Sequence, residues 1–221
     1  PILRRYVKQV ADALGIEDKE KVGQGTQLMF MQSSGGLTDA RLFQGKDAIF
    51  SGPAGGVVGL TRTAAMSDLH KLIGFDMGGT STDVTHYDGE YERSFETVVA
   101  GVRMRAPMMT IHTVAAGGGS VLRFDGSRFR VGPESAGADP GPACYRRGGP
   151  LAVTDCNVML GKIQPGFFPS IFGPGADQPL DSEVVEQKFR DLAHRVSLSQ
   201  GRIVTAEEVA EGFLRIAVAN M

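Results

Sequence analysis

Asp76-Met77-Gly78-Gly79-Thr80-Ser81-Thr82-Asp83 concentrates more chemistry than any other stretch of this sequence. The apolar run Leu72-Ile73-Gly74-Phe75 before it predicts a strand that delivers Asp76 at its end. Two glycines then turn the backbone, three hydroxyl residues follow, and a second carboxylate closes the segment. Successive N–H groups in a glycine turn form a concavity that binds anions, which makes Gly78 and Gly79 candidate phosphate-binding residues. The hydroxyls of Thr80, Ser81 and Thr82 are donors of the kind phosphate oxygens accept. Asp76 and Asp83 are candidate ligands for Mg²⁺, and Asp83 is also a candidate catalytic group that orients an attacking atom. The competing reading is a plain hairpin in which Asp and Gly serve only as turn formers. Neither Gly-x₄-Gly-Lys-Ser/Thr nor Gly-x-Gly-x-x-Gly at a strand–helix junction occurs.

Further candidates lie downstream. Gly117-Gly118-Gly119-Ser120 either brings N–H groups close to a phosphate or substrate, or is a glycine turn required by packing. Glu134, Asp139 and Cys144 sit in a Gly/Pro-rich stretch suited to lining a site, with Asp139 the preferred catalytic candidate. His112 is a possible partner for Asp139, although a structural histidine is the simpler reading. With no histidine close in sequence, Cys144 reads as an inert buried thiol before it reads as a nucleophile, and Cys156 more so. Arg103, Arg105, Arg146 and Arg147 are able to recognise a carboxylate, against the simpler reading of solvated surface charge. Zinc-hydrolase spacing is absent: His70, His86 and His194 fit no ligand pattern.

These residues need a scaffold. The spacing of Leu3, Val7, Val10 and Leu14 predicts a helix over 2–14, stopped by Gly15. Leu28–Met31 reads as a short strand, and 54–66 as a helix with Pro53 near its first turn. Strands are predicted over 72–76, 84–87 and around 94–99, with Asp88-Gly89 as a hairpin turn. Phe124 to Phe129 repeats that hairpin grammar. Residues 132–150 read as loop, then 181–196 and 205–221 as helices capped by Asp181 or Ser182 and by Thr205. The sum is an α/β fold with several hairpins, not a strict β-α-β alternation.

Composition narrows the function classes. Of 221 residues, 30 are glycine, about twice the usual share, and they cluster beside apolar runs as tight turns do. A net charge of -2 gives no basic field for nucleic acid. No apolar run approaches the ~20 residues of a membrane span, and two cysteines without a Cys-x-x-Cys suggest a reduced, cytoplasmic chain. The chain starts at Pro1 and ends at Met221 inside a predicted helix, as an excised domain would.

Asp-x-Gly-Gly-Thr-x-Thr-Asp resembles the phosphate loops of the actin-like ATPases. Four more segments follow the order of one family: Met31-Gln32-Ser33-Ser34-Gly35-Gly36-Leu37, Ser51-Gly52-Pro53-Ala54-Gly55-Gly56, Thr113-Val114-Ala115-Ala116-Gly117-Gly118-Gly119-Ser120, and Val131 through Tyr145. With the Asp76–Asp83 turn, this series resembles the hydantoinase A/5-oxoprolinase family across nearly the whole chain. Val102–Pro107, Cys144–Pro150, Phe172-Gly173-Pro174 and Gln178-Pro179-Leu180 look most like its 5-oxoprolinase branch.

The resemblance implies an actin-like (ribonuclease H-like) ATPase domain using ATP and Mg²⁺. It also implies a reaction in which ATP phosphorylates the carbonyl oxygen of a cyclic amide such as 5-oxoproline, which is then hydrolysed to glutamate. Family members carry an earlier Asp-x-Gly-Gly-Thr loop and a later Gly-Gly-x-Gly-Gly adenosine loop. This sequence has neither, so residues 1–221 are expected to be an internal fragment of the domain. Its expected partners are the missing N- and C-terminal segments and a hydrolytic second half or subunit. Alone it should bind ATP weakly and turn nothing over. Two other readings stay open: a subunit of an ATP-dependent acetone or acetophenone carboxylase, and a non-catalytic actin-like nucleotide-binding module.

Overall fold

A computed structural model of the chain describes residues 2–16, 26–99 and 101–221. The chain forms two compact units, one of residues 1–76 and 83–112, the other of residues 77–82 and 113–221.

The first unit opens with helix α1 (Ile2–Ala13), followed by the short antiparallel strands β1 (Met29–Met31) and β2 (Leu37–Asp39). Between those strands Gly35 takes φ +82°, a conformation that favours glycine, and the Met109 side chain fills the space a Cβ would take. Helix α2 (Ser51–Ala65) carries Pro53 in its first turn, where its missing N–H is no loss, and starts three residues earlier than predicted. Next come β3 (Lys71–Met77) and β4 (Thr82–Asp88), hydrogen-bonded neighbours joined by the glycine turn. At Gly74 a Cβ would lie 2.7 Å from Leu60 Cδ2 of α2 and would strike the Thr85 hydroxyl of β4. Strands β5 (Arg93–Ser94), β6 (Thr97–Val99), β7 (Val102–Met104) and β8 (Met108–Met109) form two small pairs, β5 with β8 and β6 with β7. A modest core of Ala54, Val57 and Met109 holds α2 in place. Strand β9 (His112–Val114) leads into the second unit.

That second unit has the larger core. Hairpin β10 (Ser120–Phe124) and β11 (Phe129–Ser135) packs with helices α3 (Val153–Met159), α4 (Ser182–Gln200) and α5 (Ala206–Asn220). Phe189, Phe213, Val185, Val196 and Val209 are fully buried there. Gly212 of α5 lets Phe129 approach, since a Cβ would sit 2.9 Å from its ring. Asp181 caps α4 through Val184 N–H, and Thr205 forms a capping box with Glu208 on α5. The predicted loop over 132–150 begins later than expected, because β11 runs through Gly132-Pro133 to Ser135. Its sheet has only two strands, so the proline removes no ladder bond on a far side. Helix α3 was not foreseen from the sequence. Among the described residues, no helix is long and apolar enough to cross a membrane.

Candidate functional site

The turn between β3 and β4 is closed by Gly78 N–H donating to Ser81 O at 2.8 Å. Gly78, Gly79 and Thr80 are exposed and Ser81 is half-buried. The N–H groups of Gly79, Thr80 and Ser81 have no hydrogen-bond partner among the described residues. Three consecutive amides of a turn, without a hydrogen-bond partner among the described residues, are donors an anion could take. Thr82 differs from its hydroxyl neighbours. It is fully buried and donates its hydroxyl proton to Ala116 O at 2.7 Å, so that proton is not directed outward.

The Gly117–Gly119 segment is interlocked with the turn. Gly118 N–H donates to Gly78 O at 3.0 Å and Gly119 N–H to Gly79 O at 2.6 Å. Gly117 N–H is taken by Ser120 Oγ at 3.0 Å. A Cβ on Gly117 would lie 2.7 Å from Gly78 O and 2.8 Å from Gly79 O, closer than real Cβ atoms come. Of the two readings open for this segment, the geometry bears on the packing one. All three amides are committed within the protein, and the missing side chains make the approach to the turn possible.

Behind this segment stands α3. The carbonyl of Gly118 accepts from both Thr154 N–H (2.8 Å) and Thr154 Oγ1 (2.9 Å). The next residue, Asp155, is fully buried. Its Oδ2 accepts from Ala143 N–H (3.0 Å) and Ala152 N–H (2.8 Å), and its Oδ1 from Cys144 N–H (2.9 Å). Burial raises the carboxyl's pKa above the usual range, while these hydrogen bonds work in the opposite direction. Neither Thr154 nor Asp155 stood out in the sequence. The one signal available was a carboxylate at the third position of a helix, able to reach back to the first amides, but Ala152 at the cap position concealed it.

Asp76 and Asp83 belong to the first unit. Both line a cavity of about 250 Å³ with Pro53, Gly56 and Leu60 of α2 and with Gly74, Phe75 and Thr85. Gly56 lies beside the Asp76 carboxylate, whose Oδ2 would be in ordinary contact, at 3.8 Å, with a Cβ there. No three His, Cys, Asp or Glu side chains cluster as a metal site among the described residues. Two carboxylates are still the complement from which Mg²⁺ is commonly held when phosphate and water supply its other ligands.

Asp139 is exposed in the loop after β11, and His112 is exposed at the end of the first unit, so the two fall in different units. Glu134 faces Arg123 at 3.4 Å. Cys144 and Cys156 are buried and unbridged. Burial, with the Asp155 charge beside it, pushes the Cys144 thiol far above the ordinary range, and the Cys156 thiol rises to about 12. Such thiols are poor nucleophiles. The arginines considered as carboxylate receptors have partners in the protein. Arg103 and Arg105 face Glu96, Arg146 pairs with Asp181 at 2.8 Å, and Arg147 donates to Gly173 O.

The chain is 48% identical to the 5-oxoprolinase of Saccharomyces cerevisiae over 219 residues, which is 98% of the chain and 17% of that protein. It is 47% identical to 5-oxoprolinase 1 of Arabidopsis thaliana over 228 residues, covering 100% of the chain and 18% of that protein. The chain thus spans about a sixth of the length of these curated relatives. Among solved structures, nucleotide-free acetone carboxylase superposes with a TM-score of 0.76 at 24% identity, covering 98% of this chain and 29% of that one. The ATP-dependent caprolactamase of Pseudomonas jessenii superposes at 0.71 with 30% identity, covering 100% of this chain and 31% of that one. The mixed α/β fold is therefore shared with parts of these two enzymes. With the sequence model for hydantoinase/oxoprolinase matching residues 1–221 throughout, the chain belongs to the hydantoinase/oxoprolinase family.

Proposed function

We propose that this chain is part of an ATP-dependent cyclic amide hydrolase and supplies one of its phosphate-holding turns, with 5-oxoproline as substrate and glutamate as product. The observation that carries the reading is the set of amides at Gly79, Thr80 and Ser81 without a partner among the described residues, in a turn braced by Gly118 and Gly119. An unstrained amide resists hydrolysis; transfer of a phosphoryl group to its oxygen makes the carbonyl carbon electrophilic, so that water adds, the C–N bond breaks with the amine leaving, and the resulting acyl phosphate is hydrolysed to carboxylate and phosphate. The turn's part is to hold phosphate oxygens with Gly78, Gly79, Thr80 and Ser81. Asp76 and Asp83 would hold Mg²⁺, which when bound neutralises charge on the phosphates. Asp83 is the residue for orienting the attacking group, and Asp139 a candidate for acyl chemistry. Thr82 and Gly117–Gly119 serve the turn by supporting it. The remaining segments of the ATP site and a hydrolytic half or subunit would lie elsewhere in the enzyme, which we place in the reducing cytoplasm.

Relatives with lactam-directed names support the substrate class: the 5-oxoprolinase of Saccharomyces cerevisiae at 48% identity and caprolactamase subunit alpha at 36%. The acetone carboxylase likeness, at 24% identity, speaks for the fold alone. The test is an assay of the full-length protein on 5-oxoproline, hydantoins, and ketones with bicarbonate, with ADP release as readout. 5-Oxoproline should stimulate ATP use in the wild type, and Asp83→Ala should abolish most of it with the fold preserved. Stimulation only by ketones with bicarbonate would overturn the substrate, and full activity in Asp83→Ala would favour a non-catalytic nucleotide-binding module.

A further inference from the structure

We propose that Thr154 is a positioning residue for the phosphate-holding turn, acting through a relay of polarised peptide groups that ends on the Thr80 amide. The inference rests on the ATP reading above for its consequence, but its geometry stands independently.

The relay begins at the start of α3, where the Thr154 N–H is one of the helix's donors without an intrahelical partner. That N–H and the Thr154 hydroxyl both donate to Gly118 O, at 2.8 and 2.9 Å. Gly118 C=O shares its peptide group with Gly119 N–H. A carbonyl that accepts two hydrogen bonds draws electron density from its own nitrogen and makes the attached N–H a stronger donor. Gly119 N–H donates to Gly79 O at 2.6 Å, shorter than the neighbouring Gly118–Gly78 bond at 3.0 Å. Gly79 C=O in turn shares its peptide group with Thr80 N–H, one of the three unpaired amides of the turn. Polarisation therefore runs from Thr154 through two peptide groups to the Thr80 amide, a donor without a partner among the described residues. Gly118 and Gly119 are the connecting residues. A Cβ on either would lie within 2.8 Å of a polar atom it must approach, Thr154 Oγ1 for Gly118 and Gly79 O for Gly119.

Two substitutions separate this role from simple packing. Thr154→Val keeps the shape and the backbone N–H but removes the hydroxyl donor. Thr154→Ser keeps the donor and removes a methyl. In the full-length enzyme, Thr154→Val should raise the KM for ATP about fivefold, equivalent to about 1 kcal/mol, with kcat and melting temperature little changed. Thr154→Ser should restore wild-type KM. In Thr154→Val the Gly119 amide proton should move upfield and exchange faster, and the Thr80 amide proton should move in the same sense. An unchanged Gly119 amide in Thr154→Val overturns the relay, as does a Thr154→Ser defect equal to that of valine. Altered amides with unchanged KM would overturn the nucleotide-positioning role. Failure of the ATP reading would appear separately, as no ATP use by the wild-type enzyme on any substrate.

Discussion

Replacing Asp155 by alanine should be among the most destabilising single changes in the second unit. Three backbone donors, on Ala143, Cys144 and Ala152, end on its two oxygens, and all three residues are at most 2% exposed. Each buried donor left without an acceptor costs about 1–3 kcal/mol. Three of them, partly relieved by water entering the vacated space, amount to about 4 kcal/mol, a large share of the roughly 5–15 kcal/mol that stabilises a typical domain. Asparagine should do less harm. Oδ2 serves two donors and Oδ1 one, so an amide oxygen at the Oδ2 position keeps two bonds and loses one, for about 1–3 kcal/mol. The measurement is native-state hydrogen exchange of the chain under increasing urea, read at the Ala143, Cys144 and Ala152 amides and in α5. The order of stability should be Asp, then Asn, then Ala. An alanine variant within about 1 kcal/mol of wild type would refute the reasoning, because it would mean these donors find other partners at little cost. A reversed order of Asn and Ala would refute it as well.

Gly117→Ala should displace the turn, since the added methyl would press on the carbonyls of both Gly78 and Gly79. The expected result is loss of ATP-dependent activity in the full-length enzyme, with Gly118 and Gly119 amides exchanging faster. Wild-type activity would count against the interlocked geometry. Asp125 is held down to about 2 by backbone hydrogen bonds from Arg128 and Ser127, with the Ser127 hydroxyl and Arg130 assisting. Because its folded-state pKa is depressed, its stabilisation of the β10–β11 turn is present above the ordinary Asp range and lost as pH falls through about 2. An NMR titration of the Ser127 and Arg128 amides should follow that midpoint, and a midpoint near 3.8 would contradict it. Cys144, with its thiol buried and raised, should resist alkylation at neutral pH until the chain unfolds. Rapid labelling of the native chain would exclude that environment.

What the sequence made legible and what it hid divide along physical lines. The turn was visible because a strand, two glycines and a second strand start are all local signals. Helices α4 and α5 were visible because Asp181 and Thr205 are side-chain caps written in the sequence next to the runs they start. Helix α3 has seven residues and an alanine at its cap, too little periodicity and no capping hydroxyl to announce it. β11 was cut short because Gly132-Pro133 reads as a breaker, and only the two-stranded partnership makes the pair acceptable. At Gly117–Gly119 the composition signalled a close approach but could not say to what. The answer, the carbonyls of Gly78 and Gly79, is a tertiary fact. The same holds for Thr82, whose hydroxyl matched its neighbours in sequence and differs from them only in pointing to Ala116 O.

The interlock at the glycine turn also has a consequence for the order of events during biosynthesis. A ribosome emits Gly78 and Gly79 well before Gly118 and Gly119, and Thr154 follows Gly79 by about 75 residues. Strands β3 and β4 emerge together, before β9, which pairs with β4. The turn's carbonyls gain their donors only after residue 119 is available, and the Thr154 contact comes later still. The braced form of the turn should therefore be completed late in translation, after α3 has left the exit tunnel. A nascent chain stalled before that point would carry the motif without the grip.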